Sequence, residues 1–382
     1  MLAVVGRFWI RALQYAVVPL ILTQALVAVL ATERLGSLGG KTVLLFAAML
    51  VGAAILTLFV SPLVISLYRP DPDAMTALRS GVTVPESLRT ALAEGPAPRD
   101  WLSGFLPSDL GRFLRGGNLL AVVASSMVLG LLLRLLREPT RGRVRAGVAR
   151  AASAVMRVMG WVLLFAPIGV LALTFGFARG AGGAAVGFVS VYIVMVCGML
   201  LLFTALLYPL VVLVSKVPLQ RFARALAPAQ LVALGTRSSV ATLPTMVEAS
   251  RTRLALPPAG TGFVLPLAVA TFKQNMGVSH PFMLLFLAAT FGVALSAGAI
   301  VTFVVTVVLF SFATPGIPGG NPGLATMPIF MAAGMPIEGL ILLDAVDPIP
   351  DIFKTLINVT ADMGAATMLT ATPGAASASE GP

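Results

Sequence analysis

The stretch Asp347-Pro-Ile-Pro-Asp351-Ile-Phe-Lys354-Thr355-Leu-Ile-Asn358-Val-Thr-Ala-Asp362 carries three carboxylates and a lysine inside an apolar run near the end of the chain. At about 100° per residue, with Asp351 at zero, Asp347 falls near about −40°, Lys354 about −60°, Thr355 about +40°, Asn358 about −20° and Asp362 about +20°. All six therefore share one face of a helix, and the other faces are Ile, Phe, Leu, Val and Ala. A charge at the centre of a bilayer costs at least about 2.5–3.5 kcal/mol on insertion scales. A face this polar must look into a protein-lined space that holds a solute or an ion. The blander reading is mutual satisfaction, with Lys354 paired to Asp351 one turn away. That leaves Asn358 and Asp362 without partners.

The rest of the chain fixes the solvent as lipid. Of 382 residues, 58% are hydrophobic and only 11% charged, with mean hydropathy +0.97. A soluble domain carries about a quarter charged residues. Apolar runs that reach or approach the roughly 20 residues of a spanning helix lie at Val17–Leu30, Val43–Leu67, Leu119–Leu136, Val155–Phe177, Val186–Val214, Phe263–Val293 and Ile300–Phe312. About seven spans are expected, in a multi-pass protein of the cell (inner or plasma) membrane.

The net charge of +11 does not indicate nucleic acid, because the basic residues sit between apolar runs rather than on an aromatic-rich soluble face. Seven arginines fall between Arg134 and Arg157 against Glu138 alone, which places that stretch as a basic cytoplasmic loop. Residues 69–117 are rich in Pro and Gly and their charges balance, as suits an external loop. Cys197 is the lone cysteine, so no disulfide or thiolate metal site is available. His280 is the lone histidine, either a structural residue or part of a proton relay. No cleavable signal peptide is evident, and the tail after Thr370 reads as disordered.

Two segments are broken in a way that carries information. Residues 223–250 are interrupted at Gly235-Thr236-Arg237-Ser238-Ser239 and again at Pro244; residues 298–337 are interrupted from Thr314 to Gly323. Their arms are too short to cross a bilayer alone. Non-helical backbone at that depth survives only where protein or a watery cavity covers it, and paired broken segments point to a transporter site. Helix N-termini near Ser238-Ser239 and Gly319–Gly323 would present free N–H groups to a carboxylate. Arg237 either adds a bidentate positive charge or serves as a strut to an acid on the last helix. The plain alternative is two external loops. An intramembrane enzyme has little support, because no base lies near Ser238-Ser239 in sequence.

These features resemble the dicarboxylate/amino acid:cation symporter family, the glutamate-transporter type, over nearly the whole chain. Thr236-Arg-Ser-Ser-Val-Ala-Thr-Leu-Pro244 resembles the tip of that family's first hairpin, Gly316-Ile-Pro-Gly319 the second tip, and Asp351 to Asp362 the last helix. Milder likenesses are Val18-Pro19-Leu20, Gly39-Gly40-Lys41-Thr42, Leu106-Pro107-Ser108-Asp109 and Ala166-Pro167-Ile168-Gly169-Val170. The resemblance implies an all-α membrane protein: about seven spanning helices plus two re-entrant hairpins, in an elevator-type transporter fold lacking the first helix. Residues 1–117 would be scaffold helices and the external loop, and 118–222 scaffold and transport helices with the basic loop. Residues 223–372 would be the transport core (hairpin 223–250, helix 258–293, hairpin 298–337, helix 340–370), and 371–382 a disordered tail.

The resemblance also implies roles. Asp351 would hold a substrate ammonium, Thr355 and Asn358 its backbone, and Ser238, Ser239, Gly316 and Gly319 its α-carboxylate. Asn358 and Asp362 would form part of a sodium site. The expected protein is a homotrimeric symporter of an amino acid, acidic or dicarboxylate-like, with sodium or a proton as coupling ion and no other cofactor. The runner-up is a non-transporting or channel-like protein on the same fold.

Three departures stand out. Lys354 replaces the arginine that reads an acidic side chain, and an ammonium cannot make the bidentate contact. The family's Asn-Met-Asp-Gly-Thr stretch is replaced by Phe272-Lys-Gln-Asn-Met276, and Phe46, Met49 and Leu50 stand where Tyr, Thr and Ser are expected. One sodium site is thereby dismantled, with Lys273 standing in for the cation. Finally, the chain begins at what resembles the second helix, which would put Met1, Arg7 and Arg11 outside and suggests a mis-assigned start or a truncated gene.

Overall fold

The computed structural model describes residues 36–68, 119–165, 183–313 and 333–371, with isolated positions between 19 and 30, at 168 and between 326 and 331. Most of the first expected helix, the loop 69–117, the second break with Gly316 and Gly319, and the tail from 372 lie outside them.

Every regular element among the described residues is helical: α1 (Gly36–Ser66), α2 (Leu119–Arg134), α3 (Thr140–Leu164), α4 (Gly183–Ser215), α5 (Leu219–Thr236), α6 (Ser239–Thr252), a π-turn (Gly260–Val264), α7 (Leu265–Thr271), α8 (Gln274–Phe291), α9 (Ala297–Ala313), α10 (Ile337–Ala345) and α11 (Pro350–Thr370). Among them α1 and α4 are long and apolar enough to cross a membrane. At 31 and 33 residues they measure about 45–50 Å, against a hydrocarbon core of about 30 Å. Both keep an apolar outer face, with Leu44 and Phe59 of α1 and Val194 of α4 more than 70% exposed.

Four expectations need correction. The arginine run is not a loop but largely helix from Thr140, because Arg and Ala are strong helix formers. Pro244 does not break its segment; it lies inside α6, where it removes the N–H that would reach the Val240 carbonyl. The expected helix 258–293 is interrupted at Phe272-Lys273, and the expected helix 340–370 at 346–349. The second interruption has a local cause, since Pro348 lacks the N–H that would carry α10 onward.

Helix α11 is the hub. It packs against α1, α4, α5, α6, α7 and α8, and every residue from Lys354 to Thr367 is buried. The α4 contact is tight enough that a Cβ on Gly364 would lie 2.7 Å from Val211 Cγ2. Gln230 of α5 pins the same helix, donating to Thr360 Oγ1 at 3.0 Å and accepting from Tyr208 OH of α4 at 3.1 Å. Helix α8 crosses α1 closely at Gly277, where a Cβ would lie 2.8 Å from the Leu50 carbonyl.

Candidate functional site

The break between α7 and α8 is an accounting problem in backbone polar groups. Phe272 and Lys273 leave helical backbone (φ −104°, ψ 121°; φ −124°, ψ 81°), so two half-helix ends meet inside the protein. Their orphan groups must find partners there. Lys273 Nζ donates to the Val269 carbonyl at 2.7 Å. The Lys273 N–H donates to Ser311 Oγ of α9 at 3.3 Å, and that hydroxyl donates back to the Lys273 carbonyl at 3.4 Å. The Asn275 N–H donates to Asn358 Oδ1 of α11 at 2.9 Å. On the α1 side, Phe272 stacks on Phe46 at 4.3 Å and 7°, and Gln274 Nε2 donates to the Met49 carbonyl at 3.2 Å.

On the polar face of α11, Lys354, Thr355, Asn358 and Asp362 are buried, while Asp351 at its start is half-buried. Lys354 pairs with Asp347, two turns back, and not with Asp351. Thr355 Oγ1 donates to the Asp351 carbonyl at 2.9 Å, which ties its hydroxyl to its own helix. Asp362 is fully buried, and neither carboxylate oxygen has a hydrogen-bond partner.

The first hairpin breaks within the expected stretch but over two residues only. Arg237 takes left-handed backbone (φ 51°, ψ 35°) as the C-cap of α5, and Ser238 is the N-cap of α6, its hydroxyl accepting from the Ala241 N–H at 3.2 Å. Ser239 opens α6. The Arg237 side chain is exposed and has no ion-pair partner among the described residues, although its charge acts on Asp351. It is not a strut.

A cavity with room for about one water molecule adjoins Lys354 and Asp347; Tyr192, Ser279, His280, Thr326 and Asp344 also line it. His280 sits between two hydroxyls, Ser279 Oγ and Thr326 Oγ1, each at 3.2 Å, and against Phe330. Both ring nitrogens are thus satisfied, which favours the structural role for it. Sequence reasoning missed Tyr192 and Asp344. Asp344 stands three residues before Asp347, a spacing that could have flagged it; an isolated Tyr in an apolar helix carries no such signal.

Residues 1–372 match the model of the sodium:dicarboxylate symporter family. The chain is 30% identical over 258 residues to an excitatory amino acid transporter 3 of Bos taurus, covering 66% of this chain and 48% of that protein. It is 30% identical over 253 residues to a putative sodium-dependent excitatory amino acid transporter glt-4 of Caenorhabditis elegans, covering 65% and 50%. It is 29% identical over 253 residues to a human excitatory amino acid transporter 1, covering 65% and 46%. The chain spans about half the length of the curated relatives it matches.

Proposed function

Because the chain belongs to the sodium:dicarboxylate symporter family, we propose that it is a secondary active symporter of an acidic amino acid or a dicarboxylate, driven by sodium and/or protons. The observation that carries this reading is the burial of Asp347, Lys354, Asn358 and Asp362 along one charged face, among helices that include two long apolar ones. So much charge at such depth is tolerated where a solute or ion completes it. The names of the relatives support the substrate class.

Asp351 holds the substrate ammonium, with Thr355 and Asn358 beside it. Ser238 and Ser239 take the α-carboxylate at the N-terminus of α6, where free N–H groups and the helix dipole favour an anion; Gly316 and Gly319 are its further ligands. Arg237 adds its charge from the tip. Lys354 takes the second carboxylate by exchanging Asp347 for it, and Asp351 argues for an amino acid over a plain dicarboxylate. Asn358 and Asp362 line a second cation position on α11. The other sodium site is lost: Phe46 and Phe272 close it with a ring stack, and hard cations need several oxygen ligands that Met49 and Leu50 side chains cannot give.

The chain works as a homotrimer in which residues 223–372, flanked by 118–222, move elevator-fashion with two re-entrant hairpins. Helix α1, expected in the scaffold with the rest of residues 1–117, is assigned here to the moving core, because the Phe46 stack and the Gln274 hydrogen bond fasten it there. The test is uptake of radiolabelled L-aspartate into vesicles holding the purified full chain. Accumulation that follows an imposed sodium or proton gradient is expected, with competition from L-glutamate. Anion current without accumulation would instead establish the channel-like reading.

A further inference from the structure

The orphaned carboxylate of Asp362 lies on the helix that packs against the α7–α8 break, where the chain carries a lysine. Lys273 lies at the break, past the end of α7 and as the N-cap of α8, and its ammonium spends one of three N–H donors on the Val269 carbonyl of α7. The Asn275–Asn358 hydrogen bond fixes the start of α8 against α11 one turn ahead of Asp362, and α7 also packs on α11. A carboxyl that is 0% exposed and accepts no hydrogen bond is met by a counter-charge or a proton. The C-terminal carbonyls of α7, at the negative end of the helix dipole, favour a cation in the same place.

Neighbouring groups make the same demand. Gln274 Oε1 and Asn275 Oδ1 are buried and unpartnered as well, so the break gathers acceptors and is short of donors.

We infer that the Lys273 ammonium is a built-in counter-cation for Asp362, so that the Asn358–Asp362 end of α11 takes no free sodium ion. The inference rests on the cation-site reading of Asn358 and Asp362, but it reads out in stability and not in transport. It predicts that removing the ammonium uncovers an alkali-cation site, since Asp362 and the free amide oxygens remain to fill one.

The experiment compares thermal unfolding of the purified full chain in sodium and in choline at equal ionic strength. The parent melts at the same temperature in both salts. Lys273→Met melts lower in choline and regains about 5 °C in sodium, as ligand binding to the folded state requires. A parent stabilised by sodium as strongly as the variant overturns the inference, and so does a variant that sodium does not rescue. Where Lys273→Met fails to fold in either salt, the double variant Lys273→Met/Asp362→Asn decides. If it folds where the single variant does not, the pairing stands; if it is no better, the pairing falls. A chain that carries no amino acid would still give these answers, so failure of the symporter reading is separately visible.

Discussion

At the scale of single residues, the Lys354–Asp347 pair governs the site. Lys354 and Asp347 are 8% and 6% exposed, so neither charge has water to fall back on. Removing one partner from a buried pair leaves the other uncompensated, whereas removing both leaves only a packing change. Asp347→Ala is therefore expected to cost about 3 kcal/mol of unfolding free energy, and Asp347→Ala/Lys354→Met to recover most of it. A denaturation cycle over the four proteins checks this; equal and additive losses would show that the two side chains do not depend on one another. The same pair shows how far the sequence could be read at this scale. The periodicity of Asp347, Asp351, Lys354, Asn358 and Asp362 announced one buried polar face. It could not choose the partner of Lys354, because Asp347 precedes the helix proper and reaches the lysine only through the turn at 346–349. Nor could it show the Asn275–Asn358 bond, which joins residues 83 positions apart.

At the scale of elements, the two helix breaks differ in origin. The α5–α6 break was legible because Gly, Thr, Arg and two Ser interrupt an apolar pattern, and Ser238 is a good N-cap. The α7–α8 break was not, because Phe272-Lys273 contains no glycine or proline. It exists by virtue of groups on other elements: Ser311, Asn358 and the ring of Phe46. Close crossing of α1 and α8 is what brings that ring into place, and Gly277 permits the crossing. A Cβ at 277 would lie 2.8 Å from the Leu50 carbonyl and 3.2 Å from Ala53 Cβ, whereas one at Gly52 would meet nothing within 4 Å. Gly277→Ala is expected to cost about 2 kcal/mol through overpacking. Gly52→Ala is expected to be neutral or to gain up to about 1 kcal/mol from helix propensity. Unfolding midpoints of the two variants decide it; equal midpoints would mean that the crossing has slack to absorb a methyl group.

At the scale of the whole molecule, what remains to be explained is the apolar exterior. Leu44, Phe59 and Leu63 on α1, and Val186, Val194 and Leu213 on α4, are each at least 68% exposed. Apolar patches larger than a few hundred Å² are rare on soluble monomers and mark a membrane or protein contact. Both helices also exceed the thickness of a bilayer, so their ends must emerge or tilt. By contrast, Arg143 and Arg150 of α3 are exposed, and arginine-rich faces belong in water or among headgroups. In a background carrying Cys197→Ser, Phe59→Cys is therefore expected to resist a water-borne maleimide in intact membranes and to react with a lipid-partitioning reagent. Arg143→Cys is expected to behave in the opposite way, and only from the cytoplasmic side. Rapid aqueous labelling at position 59 would place α1 in water. The burial of charge on α11 would then need no solute, because the helices around it would no longer stand in hydrocarbon.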